Sequence, residues 1–351
     1  YIHYDNQRLV DSKKTIVRWS TMPAVTVREA LIARDRIKHL VRETRMELSP
    51  SLSDFMKVPV YLKLECHQAT GSFKLRGATN AIAGLTSQQR ALGVVTASTG
   101  NHGRALSYAA AAAGVRATVC LSRLVPSNKV AAIRALGAAV QVVGNSQDDA
   151  QFEAARLAQE EGLTFIPPFD HQDVIAGQAT LGLEIAEQLP SVSQVLIPLS
   201  GGGLFSGVSL ALKALLPQVK THGVSMRLGA AMAQSLEAGK PVNVEEVATL
   251  ADSLGGGIGL RNQYTFELTR RFIDRVILLN EDSIADAMLH AYLEERLVIE
   301  GAGAVGIAAL LTRQVEAQGP IVIVVSGGNV DMAQHQRIIL EAVRDRRPAR
   351  A

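Results

Sequence analysis

Residues 71–77 read "GSFKLRG", one lysine bracketed by Ser72 and Phe73 on one side and Arg76 and Gly77 on the other. A lysine at a solvated surface needs no such company. An aromatic ring and two nearby glycines describe a lysine held in a tight space beside something flat. What that flat group is has to be read from the rest of the chain.

Just upstream, "VYLKLE" (60–65) is a short apolar run, and others like it follow: "GVVTAS" (93–98), "ATVCLS" (117–122), "AAVQVVG" (138–144), "QVLIPLS" (194–200) and "IVIVVSGG" (321–328). Longer helical stretches separate them, such as "NHGRALSYAAAAAG" (101–114) and "NKVAAIRALG" (128–137), several of them stopped by glycine. Strand and helix in alternation predict an α/β protein of parallel sheets with helices on both faces. The strand runs lack polar alternation, as strands buried on both sides do. Residues 93–144 hold three strands and two helices, which reads as a small α/β domain (91–169) inserted into a larger one (25–90 and 170–351). Residues 1–24 mix charges and aromatics without period and lack the apolar segment of a signal peptide, so they read as an N-terminal extension, with Met22 available as a start. After "SGGN" (326–329) a short arginine-bearing helical tail is expected, with no room for an appended regulatory domain.

Composition narrows the function classes. The chain has 351 residues, 47% hydrophobic and 20% charged, with a net charge of +3, enough to bury a large core and too little charge for a nucleic-acid stripe. No apolar run reaches the roughly 18 to 20 residues of a membrane span. Cys66 and Cys120 show no paired spacing, which fits a reducing cytoplasm and neither a disulfide framework nor a zinc site.

Three turns share one grammar with the lysine. "PLSGGGLFSG" (198–207) follows a strand and opens an apolar helix; its glycines let several N–H groups point to one spot at a helix N-terminus, a cradle for an anion and usually for phosphate. The spacing fits neither G-x-G-x-x-G nor a P-loop, so a single phosphate fits better than a dinucleotide. "ASTGNHG" (97–103) ends another strand, and its free N–H groups with the Ser98 and Thr99 hydroxyls suit a carboxylate, unless Ser98 or Thr99 simply caps the helix. "SGGN" ends a third strand. Ligands of open α/β sheets bind beyond the carboxyl ends of strands, so these turns and Lys74 point to one shared site.

Together these motifs resemble the threonine/serine dehydratase and serine racemase group of fold-type II pyridoxal-phosphate enzymes. The resemblance runs from about 25 to 335 and includes "PPFDHQDVIAGQAT" (167–180), "LADSLGGGIGL" (250–260) and "VIEGAGAVGIAAL" (298–310). It implies a tryptophan synthase β-like fold, two open parallel-sheet domains with the cofactor in the cleft between them. The flat group is then the pyridine ring of pyridoxal 5'-phosphate. By the same resemblance Lys74 carries the cofactor and, once freed, removes the substrate's α-proton; Phe73 lies against the ring and Asn101 bonds its phenolic oxygen. Ser200, Gly201, Gly202, Gly203 and Leu204 hold the phosphate, and Ser98, Thr99, Gly100, Asn101 and His102 receive the substrate carboxylate. Ser326 faces the pyridine nitrogen, where a hydroxyl makes a weaker electron sink than an aspartate and favours prompt β-elimination. The implied reaction turns a β-hydroxy α-amino acid into a 2-oxo acid and ammonia, in a homodimer or homotetramer, with neither nucleic acid nor membrane as partner.

Four positions depart from the pattern. Thr99 stands where serine racemase has its second catalytic serine. Ser225 and Ala231 replace the carboxylates of the racemase-type metal site, so no metal is expected there. Ser200 replaces a further glycine. Gly256 and Gly257 replace a serine pair, which widens the substrate pocket and resembles the hydroxyectoine-utilisation dehydratase subgroup, whose substrate is a longer-tailed β-hydroxy amino acid. Arg76 is expected to brace the Lys74 loop or bond a nearby carbonyl, Glu300 to lie near the cofactor or cap a helix, and His67 and His171 to be surface or structural residues.

Overall fold

The computed structural model describes residues 25–98, 100–125 and 127–345. The N-terminal extension at 1–24 and Thr99 therefore lie outside the described residues.

The strands are Met46–Leu48 (β1), Val60–Leu64 (β2), Val94–Ala97 (β3), Ala117–Leu121 (β4), Ala139–Val142 (β5), Thr164–Phe165 (β6), Gln194–Pro198 (β7), Lys220–Met226 (β8), Arg275–Leu279 (β9) and Ile321–Val325 (β10). The helices are Val27–Ile37 (α1), Pro50–Met56 (α2), Lys74–Ala83 (α3), Ser87–Leu92 (α4), Asn101–Ala112 (α5), Ser127–Ala135 (α6), Gln147–Glu160 (α7), Gln172–Gln188 (α8), Gly203–Leu215 (α9), Ala231–Ala238 (α10), Thr265–Phe272 (α11), Glu281–Leu293 (α12), Gly301–Leu311 (α13) and Met332–Asp345 (α14).

Two sheets result, one six-stranded in the order β1-β2-β10-β7-β8-β9 and one four-stranded in the order β5-β4-β3-β6. The second is built wholly from residues between 94 and 165 and is parallel throughout. In the first, β1 runs antiparallel to β2 while the other pairs are parallel. Parallel pairing was expected throughout; β1 departs because it is a three-residue edge strand, a common place for an antiparallel addition. Five apolar residues of β10, all buried, lie between β2 and β7, so the strand that ends in "SGGN" sits mid-sheet. Its carboxyl end and that of β7 open side by side, which places Ser326 beside the glycine turn after β7.

Helix α8 crosses α3 closely. A Cβ on Gly177 would fall 2.6 Å from the Arg76 carbonyl oxygen and from the Gly77 Cα, so only glycine permits this approach. The close crossing carries Arg76 into the interior, where its Nε and Nη2 donate to Glu65 at 2.8 Å each. Nη1 and Nη2 donate to Glu184 on α8 at 2.5 and 2.8 Å. Lys63 on β2 donates to Glu184 Oε2, the oxygen that Arg76 Nη2 also reaches, at 2.6 Å and to the Thr44 carbonyl at 2.7 Å. Arg76 therefore braces the Lys74 segment through ion pairs. Burial alone would lower the Arg76 pKa, but Glu65 and Glu184 outweigh it and raise it.

Two cations and two carboxylates cancel inside the core, so removing one strands its partners. Replacing Arg76 by Met should cost about 3–5 kcal/mol of unfolding free energy, measured from the urea midpoint. A loss below about 1 kcal/mol would mean the pairs behave as solvated surface bridges.

Candidate active site

Lys74 opens α3 directly after Phe73, and the loop before it is stitched to the carboxyl end of β10. The Phe73 N–H donates to the Ser326 carbonyl at 3.0 Å, the Gly328 N–H to the Gly71 carbonyl at 2.9 Å, and Ser72 forms an isolated bridge with Gly327. The half-buried Lys74 ammonium donates to the Pro168 carbonyl at 2.7 Å and lies 5.3 Å from the centroid of the Phe73 ring. Burial draws its pKa down to about 8, against the opposing pull of Glu300. A neutral amine is thus accessible near neutrality.

The turn after β3 delivers Asn101 to the same place. It opens α5, and its Nδ2 donates to Glu300 Oε1 at 2.8 Å while its Oδ1 accepts from Asn329 Nδ2 at 2.6 Å. Asn329 also donates to the Thr70 carbonyl at 2.8 Å, which closes a polar path from the lysine loop through "SGGN" to α5. Glu300 occupies the N-cap position of α13, but its side chain caps nothing. Its carboxyl turns to Asn101 instead. Burial pushes its pKa up to about 7; Asp252 adds to the rise, and the Asn101 bond and Lys74 oppose it. His102 is buried with Nε2 3.0 Å from the Ile166 carbonyl. Burial, then Lys74, drives its pKa down to about 3, so the ring is neutral and donates from Nε2. His102 therefore has only its backbone N–H to offer a carboxylate. Gly100, where a Cβ would meet nothing within 4 Å, faces open space.

Ser200, Gly201 and Gly202 join β7 to α9. Gly202 has φ +86°, in the left-handed region, and a Cβ on Gly201 would lie 2.4 Å from the Phe169 ring. The Phe169 Cβ and backbone crowd Gly203, the former 2.9 Å from a Cβ there. No side chain caps α9, so its first-turn N–H groups, with Leu204 in that turn, are left for an anion. Ser326 is 2% exposed, its hydroxyl 3.4 Å from the Ala302 carbonyl, a long contact that leaves it available to another partner.

The structure brings Phe73, Lys74, Asn101, the 200–204 turn and Ser326 together through the contacts just given, and Ser98 sits at the carboxyl end of β3. Thr99 lies outside the described residues. Gly256 and Gly257 belong to a loop that begins against α13, where the Leu250 carbonyl would meet a Cβ on Gly301 at 2.2 Å. A Cβ on Gly256 would meet nothing within 4 Å, and one on Gly257 only the Gly259 nitrogen at 4.0 Å. His67 is exposed, and His171 caps α8 by accepting from the Asp173 N–H at 3.2 Å. The sequence reading passed over Pro168, Phe169 and Asn329, although all three lie inside motifs it quoted; a backbone carbonyl and a packing ring carry no chemical signature in a sequence. A cleft of about 310 Å³ bounded by Gln194, Lys220, His222 and Asp274 lies at the amino ends of β7–β9, the opposite end from Lys74. Its Asp274 is already satisfied by Lys213, Lys220 and Thr221.

Residues 37–327 match the family described as pyridoxal-phosphate dependent enzyme. The chain is 58% identical to a putative threonine dehydratase of Sinorhizobium fredii over 313 residues, 89% of this chain and 94% of the relative. It is 42% identical to an L-threonine ammonia-lyase of Thermotoga maritima, across 90% of this chain and 78% of that one. Among solved structures it resembles maize serine racemase with a TM-score of 0.85 and 32% identity, covering 92% of this chain and 99% of the other.

Glu300 sets a pH dependence of stability whose sign follows from its raised pKa. Between the unfolded value of 4.5 and about 7, the folded protein keeps a proton that the unfolded chain has lost. That contribution is full below 4.5 and lost as pH rises through 7. His102, lowered to about 3 from 6.5, acts in the opposite sense over an overlapping window, so the wild-type curve alone does not isolate Glu300. A Glu300→Gln variant should gain on the wild type by roughly 3 kcal/mol as pH rises from 4.5 to 8. Urea unfolding of both proteins across that range checks it, and a pH-independent difference would refute the assignment.

Proposed function

This chain belongs to the pyridoxal-phosphate dependent enzymes, and on that premise we propose that it is an ammonia-lyase that converts a β-hydroxy α-amino acid to a 2-oxo acid and ammonia. The residues present fit the cofactor. The uncapped start of α9 with its crowded glycines suits a phosphate, the Phe73 ring stands beside the lysine amine, and the Ser326 hydroxyl is under-used at a strand end. Asn101 keeps one amide N–H beyond its bonds to Glu300 and Asn329, enough for a ring oxygen.

Gly201, Gly202 and Gly203, flanked by Ser200 and Leu204, would hold the phosphate through backbone N–H groups. Phe73 would lie by the ring, and Asn101 and Ser326 would supply hydrogen-bonding groups to its oxygen and nitrogen. The N–H groups of Ser98 to His102, with Thr99 among them, hold the substrate carboxylate. Pyridoxal phosphate supplies the electron sink that stabilises charge on the α-carbon. Lys74, with its pKa lowered to about 8, takes the α-proton as a neutral amine. The β-hydroxyl leaves as water, and the released enamine takes water back and gives up ammonia. The observation that carries this reading is a half-buried low-pKa lysine whose loop is bonded to Ser326 and whose amine donates to Pro168, next to the Phe169 that packs on the glycine cradle. The named dehydratase and ammonia-lyase relatives support the same chemistry.

For the substrate, Gly256 and Gly257 favour a longer tail than that of serine or threonine, such as the N-acetylated 2,4-diamino-3-hydroxybutyrate formed by opening hydroxyectoine. The space around both glycines supports this reading. L-threonine or L-serine is the alternative substrate class. The fold likeness to maize serine racemase keeps racemisation as a second reaction, one that leaves ammonia unreleased. A cytoplasmic homodimer or homotetramer is the assembly this reading carries.

The decisive experiment measures ammonia release, with cofactor supplied, from L-threonine, L-serine, threo-3-hydroxyaspartate and the ring-opened hydroxyectoine product with and without its acetyl group. The longer substrates should show the higher kcat/KM. Threonine or serine as the best substrate would end the hydroxyectoine reading, and silence with every member would end the lyase reading. Gly257→Ser should lower kcat/KM for the long substrates about tenfold while leaving serine within about twofold, because methylene-scale crowding is worth about 1–3 kcal/mol.

A further inference from the structure

Asp170 takes no part in the chemistry above, yet three elements of the site meet around it. Its Oδ2 accepts from the Gln263 N–H at 2.6 Å, and its Oδ1 accepts from the Tyr264 and Thr265 N–H groups at 2.9 and 3.0 Å. Thr265 begins α11, which has no side-chain cap from its own N-cap residue Tyr264. The carboxylate from a distant segment fills that role and meets the positive end of the helix. The loop it grips is itself knitted together: Asn262 donates to the Ile258 carbonyl at 3.0 Å and to Thr265 Oγ1 at 2.8 Å, and accepts from the Phe266 N–H at 2.8 Å. Ile258 directly follows Gly257.

On the other side of Asp170 stand the two residues that touch the site. Pro168 gives its carbonyl to the Lys74 ammonium, and Phe169 crowds Gly201 with its ring and Gly203 with its Cβ and backbone. We propose that Asp170 is a positioning residue that fixes the 167–170 segment against the 258–265 loop, so that the lysine, the phosphate cradle and the glycine loop keep one mutual geometry. This rests on the pyridoxal-phosphate reading for the meaning of the cradle, but the coupling belongs to the polypeptide alone. The Asp170 anchor holds the Phe169 ring in place, and the ring limits how far the Gly201–Gly203 backbone opens. Without the anchor, both clusters loosen together.

The test is amide hydrogen exchange on the cofactor-free full-length chain, comparing wild type with Asp170→Asn and with Thr86→Ala. Thr86 is the N-cap of α4, on the approach to β3 and so away from the strand ends that form the site. Asp170→Asn should speed exchange about tenfold at residues 263–265 and also at Ser206, whose N–H is bonded to the Gly202 carbonyl at 2.7 Å, the scale expected for losing a helix cap that holds a local unit closed. Cofactor affinity of the apoprotein, read by titration of the bound-cofactor absorbance, should weaken about tenfold. Thr86→Ala should leave both unchanged. Faster exchange at 263–265 alone, or unchanged cofactor affinity, would reduce Asp170 to a helix cap and overturn the proposal. Should the Asn variant not fold, Asp170→Glu, which keeps the charge and displaces it by one methylene, is measured in the same way with the same outcomes. Exchange is read without substrate, so a failure to release ammonia leaves this result standing by itself.

Discussion

The rest of the structure depends on a buried set of charges that sums to zero. Arg76, Glu65, Glu184 and Lys63 tie β2 and the turn after it, α3 and α8 into one unit. Two residues before Arg76 stands Lys74, the lysine of the candidate site. An ion cluster at this depth is poor in net stability but severe in geometry, since each member must stay within reach of its partner. The start of α3 is therefore held from below by charge and from above by the backbone bonds of residues 71–73 to the end of β10. The chain has arranged a lysine whose direction is settled before any ligand arrives.

Around that lysine, burial tunes proton affinity. The amine is drawn down to about 8, Glu300 is pushed up to about 7, and His102 is forced neutral. All three shifts have desolvation as their largest cause, so they share one origin in the enclosure at the strand ends. Lys74 and Glu300 are shifted toward one another in proton affinity, and the Asn101 bond fixes the Glu300 carboxyl.

The two glycine-rich segments are glycine for different reasons. Gly201 and Gly203 are small because Phe169, with its ring at the first and its Cβ and backbone at the second, occupies the space a side chain would need. Gly256 is glycine because its φ is +89°, in the left-handed region, while Gly257 has nothing pressed against it.

Much of this was legible in the sequence. Strand and helix texture predicted two sets of parallel strands, because buried strands advertise themselves as unbroken apolar runs, and β10 "IVIVV" is the clearest case. The lysine and the strand-end turns announced the site because glycine, lysine and hydroxyl residues at strand ends have few other reasons to recur together. The three-residue β1, the two-residue β6 and the five-residue β9 escaped notice: the first two are too short to carry a period, and β9 is a half-exposed edge strand. Arg76 was noticed without its partners: Glu65 lies 11 residues away and Glu184 lies 108 away, and only folding brings them to 2.8 and 2.5 Å. The same holds for Glu300, whose helix-cap position is plain from the chain but whose carboxyl turns to Asn101, 199 residues distant. Composition and local pattern thus determined which elements form and which residue types gather at the strand ends. Tertiary structure alone decided who faces whom, and so which groups lose their water, because desolvation and pairing depend on distance in space, which the order of residues does not specify.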